Sequence, residues 1–419
     1  MRIEVICTGD EVLTGKTINT NFSFMTQRLE DVGLEVRWGT TVGDDRETLL
    51  EAFKVASARA DAVIVNGGLG PTVDDLSQEV AARAAGVELV LNEEWLTRME
   101  AHFQRRARVM PANNRKQAML PATVDILDNP IGTACGFTLP IGKARFFFTP
   151  GVPREMRRMI DEQVIPRLLA MSGISATLHL KRFHSYGIGE SRADTLLTGI
   201  EAMVPDGTVK LGFRAHYPQL ETKLAVRGVD QADIERKLAP VVAEVRKHLG
   251  NFILAEDDQT LEGVIVSALR QRGGSIAVAE TATGGQIAAR LATHIEGTQV
   301  FRQGAIASSA ESLGNLLGAS PSDFSAAGAA QLAKAARQQS KASHGLAVLL
   351  QIDEGPDRVD LGGTIFLAIA TEGGAVTRQA KMRGGRGWVL QGAVEMGLDC
   401  LRRHLFDLPI DEKIDFEIA

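Results

Sequence analysis

The sequence predicts an α/β protein in three parts: a parallel-sheet first domain, a small α+β middle domain and a second α/β domain at the C-terminal end. Three observations predict it. Over residues 1–170, short apolar strands alternate with amphipathic helices, the pattern of a parallel sheet covered on both faces. Near Met171 the texture changes to longer strands with apolar residues at alternate positions. After Asp257 the strand–helix alternation resumes. At 419 residues the chain exceeds one ordinary domain, and a division into 1–170, 171–255 and 256–419 is expected.

The elements follow in order. Arg2–Cys7 is a strand, and Thr20–Asp31 shows helical spacing of Phe24, Met25 and Leu29. Glu35–Val42 is a second strand, and Arg46–Ala58 a second helix. Asp61–Val65 is a third strand, and Ala144–Phe148 a fourth that leads through TPGVPREM into a helix starting near Pro153, a suitable first-turn residue. Met171–Ser175 reads as a linker. Ala176–Ser185 is then a strand, and Tyr186–Asp194 turns into a helix reaching about Ala202. Val209–Arg214 and Glu221–Arg227 are further strands before an amphipathic helix, Gln231–Leu249. The third part opens with a helix, Leu261–Arg270, and a strand, Ser275–Ala279; Ala347–Leu350 and Thr364–Ala370 are later strands.

The segment Asp61–Val80, DAVIVNGGLGPTVDDLSQEV, carries the most chemistry. Gly67, Gly68 and Gly70 let the backbone approach a ligand closely, and Pro71 and Thr72 stiffen the turn. A strand-to-helix turn of this kind offers unpaired N–H groups to an anion. Asp74 and Asp75 would repel a bare phosphate, so they point to a bridging divalent cation. In parallel sheets ligands bind beyond the carboxyl ends of the strands, and those ends here hold Asp10, Glu11, Asp44, Asp45, Asp74 and Asp75. The segment GDEVLTGKT (Gly9–Thr17) is not a P-loop: five residues, not four, precede its GKT, and two of them are acidic. GGLGPTV fails the dinucleotide pattern because Val73 takes the last glycine's place.

Composition excludes several classes. A net charge of -6 argues against a general nucleic-acid surface. No run of 18 apolar residues suggests a membrane span, and Met1–Glu11 lacks a signal-peptide stretch. Cys7, Cys135 and Cys400 are scattered without CxxC pairing, which suits a reducing cytoplasm and offers no thiolate metal site. A cytoplasmic protein is expected.

TGDEVLTG (Thr8–Gly15), TTVGDD (Thr40–Asp45), GGLGPTVDDLS (Gly67–Ser77), NNRKQAMLP (Asn113–Pro121), NPIGTACG (Asn129–Gly136) and TPGVPREM (Thr149–Met156) together resemble the CinA family. The first domain of that family is similar to the molybdopterin-binding MoaB/MogA fold. Cys135 departs from the family's usual proline, a change that should loosen a turn. The resemblance implies a metal-dependent ADP-ribose pyrophosphatase giving AMP and ribose 5-phosphate. Such chemistry needs neutralised phosphates and a positioned water. Asp74 and Asp75 are the candidates for metal coordination or water activation, with Asp44 and Asp45 as further metal ligands. Arg115 and Lys116 would hold phosphate oxygens, and Asn113 and Asn114 sugar or base. Asp10, the loop residues Gly67, Gly68, Gly70 and Thr72, and Asn129, Gly132, Thr133, Arg154 and Glu155 complete the expected substrate site. Without the resemblance, Arg115 and Lys116 would be a solvated basic face continuing Arg105, Arg106 and Arg108.

GIGE, within Tyr186–Asp194, resembles the KH-like middle domain of the family, but no basic GXXG clamp is evident. A spacer or dimer-building role is expected there, and a homodimer overall. The third part resembles the family's nicotinamide-nucleotide deamidase domain in worn form. Active members carry ESCTGG with a serine nucleophile; this chain has ETATGG (Glu280–Gly285), with Thr281 at that serine. The family's YSNEAK segment, supplying tyrosine and lysine, is SSAESL here, with Ser308 and Leu313 at those places. LQIDEGP (Leu350–Pro356) replaces a TGIAGP-like loop. Amide hydrolysis needs an activated nucleophile and a base, so the fold should survive and the deamidase activity should not. Three functions therefore compete: a nucleotide pyrophosphatase, a nucleotide- or pterin-binding module without turnover, and a regulatory dimer.

Overall fold

The computed structural model describes residues 1–173, 177–204, 206–319 and 323–418. The end of the expected linker and the first residue of the strand after it, within 174–176, lie outside the described residues. The chain divides into two compact units, Met1–His179 with Gly228–Gln231, and Leu180–Arg227 with Ala232–Ala419.

The first unit is built on a six-stranded sheet. Its strands are β1 (Ile3–Thr8), β2 (Val36–Val42), β3 (Ala62–Asn66), β6 (Asp125–Leu127), β7 (Gly136–Ile141) and β8 (Ala144–Thr149) in the order β2-β1-β3-β8-β7-β6; β4 (Leu89–Leu91) and β5 (Met119–Pro121) pair separately. Strands β2, β1, β3 and β8 are parallel, as expected. The sheet is not parallel throughout: β7 runs antiparallel to β8 and to β6. Phe137–Ile141 and Ala144–Phe148 are joined by a tight turn at Gly142 (φ 58°), which can only return the chain antiparallel.

Alternation along these strands explains the double covering. Ile3, Val5, Cys7, Ile64 and Phe147 bury against Met25, Leu29, Met156 and Met159 on one face. Ile6, Val63, Val65, Phe146 and Phe148 bury with Phe53 and Ala56 on the other. Glu4 is the polar exception, buried and held by Arg59 at 2.6 and 2.8 Å and by the Thr40 hydroxyl at 2.8 Å. Met171 and Ser172 belong to the helix Ile165–Ser172, so the first domain's last helix runs further than the sequence suggested.

In the second unit, β9 (Thr177–Tyr186), β10 (Val209–His216), β11 (Gln219–Gly228) and β12 (Ile253–Glu256) form a sheet of order β10-β11-β9-β12, in which β10 and β11, and β9 and β12, run antiparallel, and the helix Gln231–Leu249 packs into the same core. The single helix expected up to Ala202 is two pieces, Glu190–Leu196 and Ile200–Met203, because Gly199 takes a left-handed φ of 84°. A second sheet has the order β14-β13-β15-β16-β17, from β13 (Ile276–Thr281), β14 (Phe301–Ala307), β15 (His344–Ile352), β16 (Gly362–Thr371) and β17 (Gly374–Arg383). One apolar core runs from Phe183 and Leu224 through Val278 and Leu367 to Leu401, so these two sheets share an interior.

A charged knot closes that interior at the end of the helix Arg386–Leu405. Asp399, buried, accepts from Arg402 and Arg403, and Arg403, fully buried, also meets Glu412 and the carbonyl of Pro409. Arg402 reaches the carbonyl of Asn251 at 2.6 Å. Removing one partner of such a buried set leaves an uncompensated charge. Arg403→Met, which keeps the bulk, should cost about 3 kcal/mol and lower the urea midpoint of the full chain. An unchanged midpoint would mean that Arg402 alone satisfies Asp399.

Candidate functional site

The parallel strands of the first unit end in loops that enclose an open cavity of about 440 Å³. Its carboxylates are Glu11, Asp44, Asp74, Asp75 and Glu155, and no lysine or arginine lines it. The floor is the loop after β3. Gly67 and Gly68 have φ of 111° and 70°, and a Cβ on either would meet Thr8 Oγ1 at 2.5 Å or Ser77 Oγ at 2.4 Å. The Ser77 hydroxyl pins this loop by donating to the Gly67 carbonyl at 2.8 Å. The amides of Gly68, Leu69 and Gly70 donate to no acceptor among the described residues, leaving them available to an anion.

Asp10 and Asp44 hold each other's loops: each carboxylate accepts the other's backbone N–H at 3.1 Å. Burial, followed by repulsion from Asp10, Glu11 and Asp74, outweighs the bond from the Asp10 amide and raises the Asp44 pKa. Asp74 is exposed, and the Thr72 hydroxyl and its own amide hold its pKa below the usual carboxylate range. Asp75 accepts from the Thr72 amide at 2.8 Å and from its hydroxyl, and lies over Gly70, where a Cβ would meet it at 2.4 Å. It therefore fastens the glycine loop as well as facing the cavity.

The opposite wall includes Thr133 and Ala134, while Asn129 and Gly132 of the same segment do not line the cavity. Asn129, buried, donates to Glu155 at 2.8 Å and to the Ala134 carbonyl at 3.0 Å, and accepts from the Gly132 amide. Glu155 lies so close over Gly132 that a Cβ there would meet its carboxylate at 2.1 Å. Thr133 donates to Gln117 at 3.0 Å. Asn114 is buried and also bonds Gln117, at 2.9 Å.

Other expected residues stand outside the cavity. Asp45 caps the helix Arg46–Arg59, accepting from the Thr48 amide at 2.9 Å and from its hydroxyl, and those bonds lower its pKa; it does not line the cavity. Asn113, Arg115 and Arg154 are exposed and do not line it either. Lys116 spends its ammonium on the Thr72 carbonyl, close enough to Asp74 to stabilise that carboxylate. Cys135 is buried in the core, where burial pushes its thiol pKa up. Sequence reasoning missed Gln117 and Asn66. Gln117 ties three segments, donating to the Leu69 carbonyl at 3.1 Å while accepting from Asn114 and Thr133. Asn66, buried at the end of β3, reaches the Pro150 carbonyl at 2.7 Å and accepts from Asn21. Both were visible as buried-type amides beside quoted motifs, yet side-chain direction in a loop has no periodicity to reveal it.

In the second unit Thr281 ends β13, fully buried, and its hydroxyl accepts from the Leu350 amide at 3.0 Å. Ala282 follows at φ 58°, an unusual left-handed alanine in the turn. Glu280 is buried and accepts from the amides of Ile287 and Ala288 at 3.3 and 3.0 Å, capping the helix Gln286–Thr293. Ser308 is exposed beyond β14, whereas Leu313 is wholly buried among Ala277, Ala279 and Leu332.

Fold and cavity together define a multidomain α/β protein whose first domain presents an open acidic cavity at the carboxyl rim of its sheet. Family models agree: a probable molybdopterin binding domain matches residues 4–170, the damage-inducible protein CinA KH domain 180–255 and the CinA C-terminal domain 258–405. CinA-like proteins from Shewanella sediminis and Shewanella woodyi are 39% and 40% identical over 414 residues, covering 97% of this chain and 96% of each relative. A solved structure of the protein CinA, of unknown function, from Thermoplasma acidophilum covers 40% of this chain and 98% of its own at 34% identity, with a TM-score of 0.37. The chain belongs to the CinA family. Among the described residues, no helix is long and apolar enough to cross a membrane.

The acid cluster gives a pH signature. Ionised Asp44 is disfavoured in the fold, so its contribution to stability falls as pH rises from the unfolded carboxylate value through the raised folded one. Asp44→Asn should therefore unfold at a higher temperature than the parent at pH 7, with the difference fading towards about pH 3. A variant no more stable at pH 7 would mean that the cluster is not self-repelling.

Proposed function

We propose that the first domain is a divalent-metal-dependent pyrophosphatase that hydrolyses ADP-ribose to AMP and ribose 5-phosphate. The observation that carries this reading is the pairing of free loop amides with a carboxylate-rich wall: amides suit phosphate oxygens, and the carboxylates suit a cation between them. Among the described residues no three potential ligands already form a metal cluster. The all-oxygen rim fits instead a magnesium-like ion held by one or two carboxylates with water and substrate phosphates completing its shell. Asp44 and Asp74, both lining the cavity, would hold it. When bound, such an ion neutralises the diphosphate and acidifies water. The loop amides of Gly68–Gly70 would orient the phosphates, Asp74 would take a proton from the attacking water, and Asp75 keeps the loop in shape. Asn114 is fixed by Gln117 and would offer a polar edge to sugar.

A second reading, binding without turnover, is favoured by the absence of that ready-made cluster among the described residues. In the second unit the worn motif supports no deamidation of nicotinamide mononucleotide. The Thr281 hydroxyl is buried and engaged, Glu280 is committed to a helix cap, and Leu313 lies in apolar core where a lysine would be costly. Incubation of the full chain with ADP-ribose and magnesium or manganese should yield AMP, and Asp74→Ala should lower kcat/KM on the order of 100-fold. The same preparation should release no ammonia from nicotinamide mononucleotide. Binding of ADP-ribose without AMP would favour the second reading, and Thr281-dependent ammonia release would overturn the loss of deamidation.

The homodimer is also a proposal, supported by a middle domain that carries no chemistry of its own. Light scattering at micromolar concentration should give about twice the 45.1 kDa of one chain. A mass of one chain would remove it.

A further inference from the structure

Two uncharged side chains hold three consecutive carbonyls of the glycine loop after β3. The Gly67 carbonyl accepts from the Ser77 hydroxyl at 2.8 Å, and the Gly68 carbonyl from the Ser77 amide at 3.1 Å. The Leu69 carbonyl accepts from the Gln117 side chain at 3.1 Å. Ser77 opens the helix Ser77–Ala85, so its N–H is one the helix itself cannot use. Both residues are buried, and Gln117 is held in turn by Asn114 and Thr133, which donate to it at 2.9 and 3.0 Å. The Leu69 side chain is anchored in the apolar core, which leaves the loop little room to turn.

A peptide unit is planar, and when it is trans its N–H points opposite to its C=O. The peptides of this loop are trans, so fixing three carbonyls fixes the direction of the next three amides, those of Gly68, Leu69 and Gly70. These amides donate to no acceptor among the described residues, and all three residues line the acidic cavity. The row has defined ends. Before it, the Gly67 amide is taken by the Thr149 carbonyl at 2.9 Å. After it, Pro71 has no N–H, and the Thr72 amide is taken by Asp75 at 2.8 Å.

We propose that Ser77 and Gln117 are positioning residues for anion recognition: by holding the carbonyls of Gly67–Leu69 they present the amides of Gly68–Gly70 as a preformed cradle for the diphosphate oxygens of the ligand. The inference rests on the nucleotide reading above and assigns much of its phosphate affinity to two side chains whose donors are spent on the backbone. Neutral donors of fixed direction suit a cavity lined by five carboxylates, because no carbonyl has to be turned aside when the anion arrives.

The test is calorimetric titration of the full chain, in magnesium, with inorganic pyrophosphate and with ADP-ribose. Gln117→Met and Ser77→Ala should each weaken both ligands about 10-fold, the worth of roughly one hydrogen bond to a charged group. Ser77→Thr, which keeps the hydroxyl, should bind as the parent does. In NMR spectra of the parent, the amide signals of Gly68, Leu69 and Gly70 should shift on adding pyrophosphate. Those shifts should shrink in Gln117→Met and Ser77→Ala while the amide signals of the sheet keep their parent positions, a pattern that general loosening would not give. Parent-like affinity in both variants would overturn the proposal, as would weakened binding with the three amide shifts intact. Pyrophosphate binding without ADP-ribose binding would overturn the nucleotide reading and leave the cradle standing. A parent that binds neither would overturn both.

Discussion

The first domain depends on a contact distance at the end of β3. Gly67 and Gly68 bring the backbone against Thr8 of β1 and Ser77 of the following helix, at distances no side chain tolerates. That approach fixes where the loop amides point and draws Leu69 to Gln117 and Asp75 to Thr72. A larger residue at either glycine would push the loop off β1 and open the floor of the cavity. The carboxylates are then brought together on a scaffold that is apolar on both faces and so cannot shift to relieve their repulsion.

Much of this was legible in the sequence because it is periodic or stereochemical. Thr20–Asp31 and Gln231–Leu249 have the predicted bounds because their apolar spacing is helical throughout. The glycine loop was legible because only glycine takes φ of 111° and 70° at such close quarters. The antiparallel β6–β7 extension was not: Gly136–Ile141 is buried along nearly its whole length, so no alternation marks it as a strand. Among site residues, Asp45 was ambiguous because an aspartate before a helix can be a cap or a ligand, and here it accepts from the Thr48 amide as a cap. Gln117 and Asn66 escaped because their roles lie in contacts 48 and 84 residues away along the chain.

The second unit shows how a fold outlasts a motif. Thr281, Ser308 and Leu313 replace the resembled serine, tyrosine and lysine, yet each is accommodated. The threonine hydroxyl satisfies the Leu350 amide between β13 and β15, and Leu313 fills apolar space between helices and sheet. Glu280 retains a purely architectural task, accepting from the first free amides of a helix. Thr281 thus satisfies a backbone amide and Leu313 adds packing, while Ser308 stays exposed. Within this unit the C-terminal domain shares a core and the Asp399–Arg402–Arg403 knot with the middle domain, a reason for it to persist as structure.

The central claim is that the acidic rim of the first domain takes a nucleoside diphosphate together with a divalent cation. It is tested most directly by calorimetric titration of ADP-ribose into the full chain, once in magnesium and once in a chelator. Binding in magnesium that disappears with the chelator is the result this account predicts, because five carboxylates and no lining lysine or arginine would otherwise repel the diphosphate. Equal affinity with and without the cation would contradict it.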